Sequence, residues 1–481
     1  MQKQAKTKKK LRWILAAGAV VALLAIGSCY HLIRENTNFV GKAEFASAPK
    51  DKNLPDIVVL VIDTLRYDAI LKRDGRPKSS PFANFANAGR VYSNAYATAG
   101  WTLPTHVSMV SGLLPIKHRT DQENWEMGEH FPVFPELLAA KGYFNAGISE
   151  NPYLSRFSGF PRGFHEYDQA FNPKNGRTEL LVRDIVRKRE AKRRPLFLFV
   201  NIMDTHKPYT PTAQYFKKDR AGMSYDEAIA LDERLSSFNY YMELTKPPTK
   251  SEWKTLRYLY NLEMIEAGQK AVQILQTIKR HRKRPLYVFL LADHGEHFGE
   301  HGHMGHRFSL YQPLIHVPLI IIGPEFAQGV DDSPVSQVDL FPTILRIAGI
   351  AAPPNDGRDL IEGGIEPGRP LFSSASYPEQ STRMYPDDRK HLVDKYLSPI
   401  FAIRRENWKL LEPKKGELEL YDIAADPFEK KSLVEPTEQV KTLSRMLEGY
   451  RGQQWPVNKA KNIRKPDRAT EESLRSLGYI Q

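Results

Sequence analysis

Four stretches of this chain are apolar without interruption: Ile57-Val-Val-Leu-Val-Ile62, Leu196-Phe-Leu-Phe-Val200, Leu286-Tyr-Val-Phe-Leu-Leu291 and Val317-Pro-Leu-Ile-Ile-Ile322. A strand with one wet face alternates polar and apolar residues. Unbroken runs belong to strands covered on both faces. Helical patterns lie between them, at residues 135–141 and 258–278. Strands alternating with helices predict an α/β fold with a doubly wound, mostly parallel sheet.

Three of the runs lead into acids or histidines. Asp63 directly follows the first, Asp204 and His206 follow the second, and Ala292-Asp-His-Gly-Glu-His297 follows the third. Open α/β sheets build ligand sites at strand ends of this kind. Asp63 alone reads equally well as a helix cap. If Asp63 and Asp293 end neighbouring strands, their carboxylates repel each other, and a cation between them removes that cost. Carboxylates and a neutral imidazole such as that of His294 are suitable ligands for it.

Thr102 lies in Gly100-Trp-Thr-Leu-Pro-Thr-His-Val-Ser-Met-Val-Ser-Gly112. Pro104 suits a first helical turn, which puts Thr102 near the cap. Thr102 is then either a simple N-cap or a hydroxyl offered to an anionic ester at a helix N-terminus. A bound cation would lower its pKa and make it a nucleophile. His206 is either a hydrogen-bonded core residue or part of the same site. His301, His303 and His306 follow in a Gly-rich stretch with too few acids for a second metal. A protonated histidine there could neutralise an anionic substrate or protonate a leaving oxygen.

The chain has 481 residues and a net charge of +13, unevenly spread. Lysines crowd the first residues, and an uncharged, mainly apolar stretch follows at residues 13–30. That pattern predicts an N-terminal signal anchor within residues 1–33, with everything beyond it outside the cytoplasm. Leu24-Ala-Ile-Gly-Ser-Cys29 also resembles a bacterial lipobox, so a lipoprotein signal is the other reading. Cys29 is the only cysteine, which excludes disulfides and thiol catalysis from the folded part. Further basic runs at Arg187-Lys-Arg189, Lys192-Arg-Arg194 and Lys279-Arg-His-Arg-Lys-Arg284 have no nucleic-acid-binding module around them, so no nucleic-acid partner is expected. Residues 34–54 read as a linker and 55–350 as the main domain. Residues 366–481 read as a smaller α+β subdomain. There, residues 401–411 and 418–421 would form an antiparallel hairpin around Lys414-Lys-Gly416, and 439–450 a helix. Residues 216–248 are charged and weakly patterned, and no role is assigned to them.

Taken together, several segments resemble the sulfatases, within the alkaline-phosphatase superfamily. They are Ile62-Asp-Thr-Leu-Arg-Tyr-Asp68, Trp101-Thr-Leu-Pro-Thr-His-Val-Ser-Met-Val-Ser-Gly-Leu-Leu-Pro115 and Asp293-His-Gly-Glu-His-Phe-Gly-Glu-His301. Residues 311–324, Val338-Asp-Leu-Phe-Pro-Thr343 and Leu420-Tyr-Asp-Ile-Ala-Ala-Asp-Pro427 follow in family order. The resemblance implies one divalent cation (calcium, manganese or magnesium) held by Asp63, Asp293 and His294, with Thr102 as nucleophile and further ligand. It also implies that His106, Ser149 and Asn151 contact substrate and that His206 and His306 bind its oxygens or assist the leaving group.

The chain departs from the family pattern at several of these positions. Family sulfatases have a Cys or Ser at the nucleophile position, converted to formylglycine, and an Arg where His106 stands. Thr102 cannot become that aldehyde; related phosphoglycerol and phosphoethanolamine transferases use Thr. Thr64 replaces a second acid, Gly147-Ile-Ser-Glu-Asn-Pro152 replaces a Gly-Lys-Trp-His segment, and His306 replaces a Lys. The leading expectation is a membrane-tethered, extracytoplasmic, metal-dependent hydrolase of sulfate or phosphate esters on a glycan, lipid headgroup or small molecule. The alternatives are a headgroup transferase and a non-catalytic surface binding protein.

Overall fold

The computed structural model describes residues 38–39, 43–49, 51–121, 124–171, 173–236, 248–306, 308–361, 365–375, 399–414, 416–435, 437–453 and 465–477. The expected anchor segment, with Cys29, lies outside them. Among the described residues no helix is long and apolar enough to cross a membrane.

In chain order the strands are β1 (Asn38–Phe39), β2 (Asp56–Ile62), β3 (Arg90–Tyr96), β4 (Phe144–Ser149), β5 (Glu166–Gln169), β6 (Leu196–Ile202) and β7 (Leu286–Ala292). They continue with β8 (His297–Phe298), β9 (Met304–Gly305), β10 (Leu319–Ile322), β11 (Gly329–Ser336), β12 (Leu371–Ala375), β13 (Ile400–Arg405), β14 (Trp408–Lys414) and β15 (Glu417–Asp422). Nine of them form one sheet in the order β1-β5-β4-β6-β2-β7-β10-β3-β11. The predicted runs occupy its centre as β6, β2, β7 and β10. From β5 to β7 the strands are parallel.

The sheet is mixed at its flanks: β10 is antiparallel to β7 and β3, and β1 to β5. A parallel neighbour needs a crossover back to the strand's starting edge. The chain leaving β7 instead builds the histidine segment at the edge it has reached and enters β10 from there, with Leu319 opposite Leu291.

Burial on both faces explains the unbroken apolar runs. Val58, Leu60 and Ile62 pack with Ala267, Ala271 and Ile274 of the helix Lys250–His281. Ile57, Val59 and Val61 point the other way, toward Leu103 and Val107 of the helix Thr102–Ser111 and Ile344 of the helix Leu340–Ile347. Each large aliphatic side chain so buried stabilises by about 1.5–3 kcal/mol. The helix Lys250–His281 starts earlier than the sequence pattern predicts. Thr249 caps it through the N–H of Glu252, and Leu256 and Leu259 join a satellite core. The unpatterned stretch 216–248 supplies the helix Tyr225–Ser236 to that core.

Strands β12 to β15 form a separate antiparallel sheet. Ala402 and Leu411 face the main core, whereas Ile403, Leu410 and Leu420 face the helix Glu438–Arg451. The predicted hairpin is β14–β15. Residues 401–411, expected as one strand, are in fact two, because the chain reverses at Glu406-Asn407 and pairs Arg405 with Trp408. Glu406 has φ 54°, a conformation its residue type rarely signals.

Candidate active site

The parallel strands β6, β2 and β7 deliver their C-terminal ends to one place. Asp63 follows β2, and its N–H donates to the carbonyl of Ile202 at 2.8 Å. Thr64 is turned to φ 56°, unfavourable for a β-branched residue. In that conformation its N–H donates to Asp293 Oδ1 at 3.1 Å and its hydroxyl to the carbonyl of Thr205 at 2.6 Å. The Thr205 hydroxyl in turn donates to the carbonyl of Asp63. Three strand ends are thereby tied together. Gln337 supports the third, donating to the carbonyls of Ala292 and Asp293 at 3.0 and 2.6 Å.

Asp63, Asp293 and His294 are fully buried and bring one ligand atom each within 4.8 Å of the others. Asp63 Oδ2 accepts from Asn151 Nδ2 at 2.7 Å and from Asn201 Nδ2 at 3.4 Å. Asp293 Oδ1 accepts from the N–H groups of Thr64 and His294. Asp63 Oδ1 and Asp293 Oδ2 are buried with no hydrogen-bond partner. Burial, reinforced by the charge of Asp293, pushes the Asp63 carboxyl up to about 8. Burial likewise pushes Asp293 up to about 7. The His294 ring sets Nδ1 against the carbonyl of Gly295 at 3.0 Å, so Nδ1 carries the proton and Nε2 faces Asp293 Oδ2 at 3.4 Å. Two orphaned carboxylate oxygens beside an imidazole nitrogen fit a divalent cation.

Thr102 opens the helix Thr102–Ser111; the cap position itself belongs to Trp101. The Thr102 hydroxyl lies 3.4 Å from His294 Nε2 and 3.3 Å from Asn151 Nδ2. It therefore adjoins the acid cluster at the positive end of a helix. His306 stands beside His294, and His206 beside His306. The rings of His206 and His306 are 4.8 Å apart, and His306 is 4.6 Å from His294. Burial holds His206 well below the usual imidazole range. Its Nδ1 bonds the carbonyl of Lys207, making Nε2 a proton acceptor. His306 Nδ1 faces Glu296 Oε2 at 3.3 Å, and Tyr209 donates to the same oxygen at 3.3 Å. By contrast, His301 stacks on Tyr311 at 3.7 Å.

Two of the residues expected to contact substrate, His106 and Ser149, are fully buried, with His106 Nδ1 3.8 Å from Asp293 Oδ2. His106 lies beneath Thr102, packed edge-to-face against the neighbouring rings of Phe160 and Phe199. Its Nδ1 bonds the carbonyl of Thr102 at 2.8 Å, and burial lowers its pKa to about 3. A neutral ring in an aromatic pocket does not replace the family's Arg as an anion contact. Ser149 is fully buried; it donates to the carbonyl of Asn151 at 3.1 Å and accepts from the Asn151 N–H at 3.0 Å, which shapes the turn after β4. Asn151 reaches the site, but through Asp63 and Thr102. Asn201, Glu296, Tyr209 and Gln337 were not singled out from the sequence. Only Glu296 carried a signal, inside the Asp293-His294 segment.

Behind the site lies a buried ion network. The Lys270 ammonium contacts Glu150 at 3.0 Å and also Asp204. Lys174 bonds Glu263 and lies 2.8 Å from Glu266 and 3.7 Å from Asp204. Asp204, Glu263 and Glu266 have metal-like spacing, but the Lys174 ammonium stands among all three, and burial pushes the Glu263 carboxyl up to about 8.

The family model described as Sulfatase matches residues 55–350, and that described as N-sulphoglucosamine sulphohydrolase, C-terminal, matches residues 299–453. Arylsulfatase K of Mus musculus is 24% identical over 427 residues, covering 78% of this chain and 75% of its own length. Delta 4,5-hexuronate-2-O-sulfatase of Bacteroides thetaiotaomicron is 23% identical over 452 residues, covering 84% and 90%. The structure of the phosphonate monoester hydrolase of Agrobacterium radiobacter superposes with a TM-score of 0.64 at 18% identity, over 83% of this chain and 96% of that one.

Proposed function

The chain belongs to the sulfatase family, and from that premise we propose a metal-dependent ester hydrolase that uses Thr102 as its nucleophile. The observation that carries this reading is the Thr102 hydroxyl placed against two buried acids with orphaned oxygens and an imidazole. A non-catalytic protein has no physical need to maintain such an acid pair.

A divalent cation held by Asp63, Asp293 and His294, with Thr102 completing the set, would lower the pKa of the Thr102 hydroxyl and draw charge from the ester oxygens. Asn151 Nδ2, shared between Asp63 and Thr102, orients the nucleophile. The Thr102 hydroxyl passes its proton to His206 Nε2 as Thr102 Oγ1 forms a bond to the sulfur or phosphorus and the bond to the bridging ester oxygen breaks. His306, held by Glu296, faces the departing oxygen and supplies its proton. Water then attacks the Thr102 ester; His306, now unprotonated, takes the water's proton, and the proton held by His206 returns to Thr102 Oγ1 as its bond to sulfur or phosphorus breaks, which restores the hydroxyl and both histidines. Thr102 forms no aldehyde, so release proceeds by substitution at sulfur or phosphorus.

The substrate class is a sulfate or phosphate ester borne by a glycan. The hexuronate sulfatase among the relatives supports the glycan, and the phosphonate ester hydrolase neighbour supports a phosphorus centre. The Lys-rich start and the apolar residues 13–30 support a tethered, extracytoplasmic location.

The deciding experiment assays sulfate and phosphate model esters with and without a chelator, then determines the mass of the acid-quenched protein. A sulfuryl or phosphoryl adduct on Thr102, absent from Thr102→Ala, is the expected result. Undiminished turnover by Thr102→Ala would overturn the mechanism. Transfer of the group to an added alcohol in place of water would instead identify a transferase.

A further inference from the structure

The basic runs converge on one edge of the sheet, the edge opposite the site. Arg187-Lys-Arg189 and Lys192-Arg-Arg194 precede β6, and the run from Lys279 to Arg284 precedes β7. Both therefore lie at the N-terminal ends of parallel strands whose C-terminal ends carry His206 and Asp293. The seven residues of β2 separate the two edges by about 20 Å.

One buried ion pair gathers these segments. Arg282 grips Asp56, the first residue of β2, through two bonds of 2.7 and 2.6 Å. The same guanidinium donates to the carbonyl of Arg194 at 2.9 Å and to that of Ala191. Arg187 Nε lies 3.3 Å from His281 Nε2, so the two runs touch. The segment arriving from the N-terminal side is fastened here too. Arg284 donates to the carbonyls of Lys52 and Leu54, and Arg194 lies over the ring of Phe45 and donates to the carbonyl of Ala46. Around this junction Arg189, Lys192, Arg193, Lys279, Arg280 and Lys283 are exposed. Of the acids nearby, Asp56 is paired with Arg282, Glu190 with Arg194 and Glu166 with Lys188, while Glu44 and Asp51 of the incoming segment are exposed, so the edge keeps an excess of positive charge.

We propose that this basic edge rests on an anionic phospholipid surface, with the active site on the far edge, turned away from the bilayer. Charge complementarity supports lipid as the occupant. So does the incoming chain, which reaches this edge at Phe45 and Ala46, about fifteen residues after the Lys-rich and apolar N-terminal stretch. The arrangement favours substrates borne on material outside the membrane over headgroups within it.

The test is lysine acylation of the full-length protein, with the site of each modification determined by mass spectrometry. It compares vesicles of phosphatidylcholine alone with vesicles that also contain phosphatidylglycerol. Lys192, Lys279 and Lys283 should react several-fold more slowly on the anionic vesicles, and high salt should abolish the difference. Lys254 is the control, since it lies about 37 Å from Lys279 along the same helix and should react equally on both. The variant Arg189→Glu/Arg193→Glu/Arg280→Glu should lose the protection. Equal acylation of the three lysines on both vesicles overturns the proposal, as does protection by a heparin oligosaccharide or RNA with none from phosphatidylglycerol. The readout does not depend on catalysis, so it stands or falls separately from the Thr102 mechanism.

Discussion

Asn151 donates from Nδ2 to Asp63 Oδ2 at 2.7 Å, and the same nitrogen lies 3.3 Å from the Thr102 hydroxyl. A single amide therefore sets the position of a proposed cation ligand and of the proposed nucleophile. Asn151→Ala leaves a buried carboxylate oxygen without its main donor, which costs about 1–3 kcal/mol. Because the orientation of Thr102 is also lost, kcat should fall by more than that stability change alone would suggest. Denaturant unfolding and steady-state kinetics on the same preparation check both. Wild-type kcat in a folded Asn151→Ala protein would remove Asn151 from the mechanism.

Asp63 and Asp293 are held up at about 8 and about 7, so the metal-free fold resists their ionisation. Below about pH 4 both the folded and unfolded forms keep these protons, and no stability is lost. As pH rises to about 8 the unfolded chain releases them while the fold cannot, and metal-free protein is progressively destabilised. A bound divalent cation removes that penalty. The Tm difference between metal-supplemented and chelated protein should therefore widen from about pH 5 to about pH 8. A difference that shrinks over that range would contradict a carboxylate-bound cation.

Thr64 combines a positive φ with two bonds that stitch the strand ends. Thr64→Val keeps the backbone strain and removes the hydroxyl that satisfies the carbonyl of Thr205. It should destabilise by about 1–3 kcal/mol. Thr64→Gly loses the same bond but relieves the strain and should unfold at a midpoint between the other two. Equilibrium unfolding of the three proteins checks the order.

Lys270 stands between Glu150, which precedes Asn151 in the chain, and Asp204 on the loop of His206. Lys270→Met leaves two carboxylates facing each other in a buried space. Removing one partner of such a network costs about 3–5 kcal/mol. Lys270→Met/Glu150→Gln should recover part of it, and a double-mutant cycle measures how much.

The sequence made the central strands legible because both faces of β2, β6 and β7 are covered, and double burial demands apolar residues at every position. It also made Asp63, Asp293, His294 and Thr102 legible one by one, since strand ends and a helix start are local features; the resemblance to the sulfatases joined them into a set. Outer strands left no such trace: Arg90-Val-Tyr-Ser-Asn-Ala-Tyr96 forms β3 although polar residues interrupt it. Strand order and direction are properties of pairing, which is why β10 reads like its neighbours yet runs the other way. The same holds for side chains whose role is a partner distant in sequence. Asn151 sits 88 residues from the carboxylate it bonds, and His106 lies where an Arg was expected but is packed against Phe160 and Phe199. Local chemistry chose the residues able to bind an ion and attack an ester. Only tertiary packing decided which of them meet, which are buried as neutral groups, and which edge of the sheet carries the basic residues.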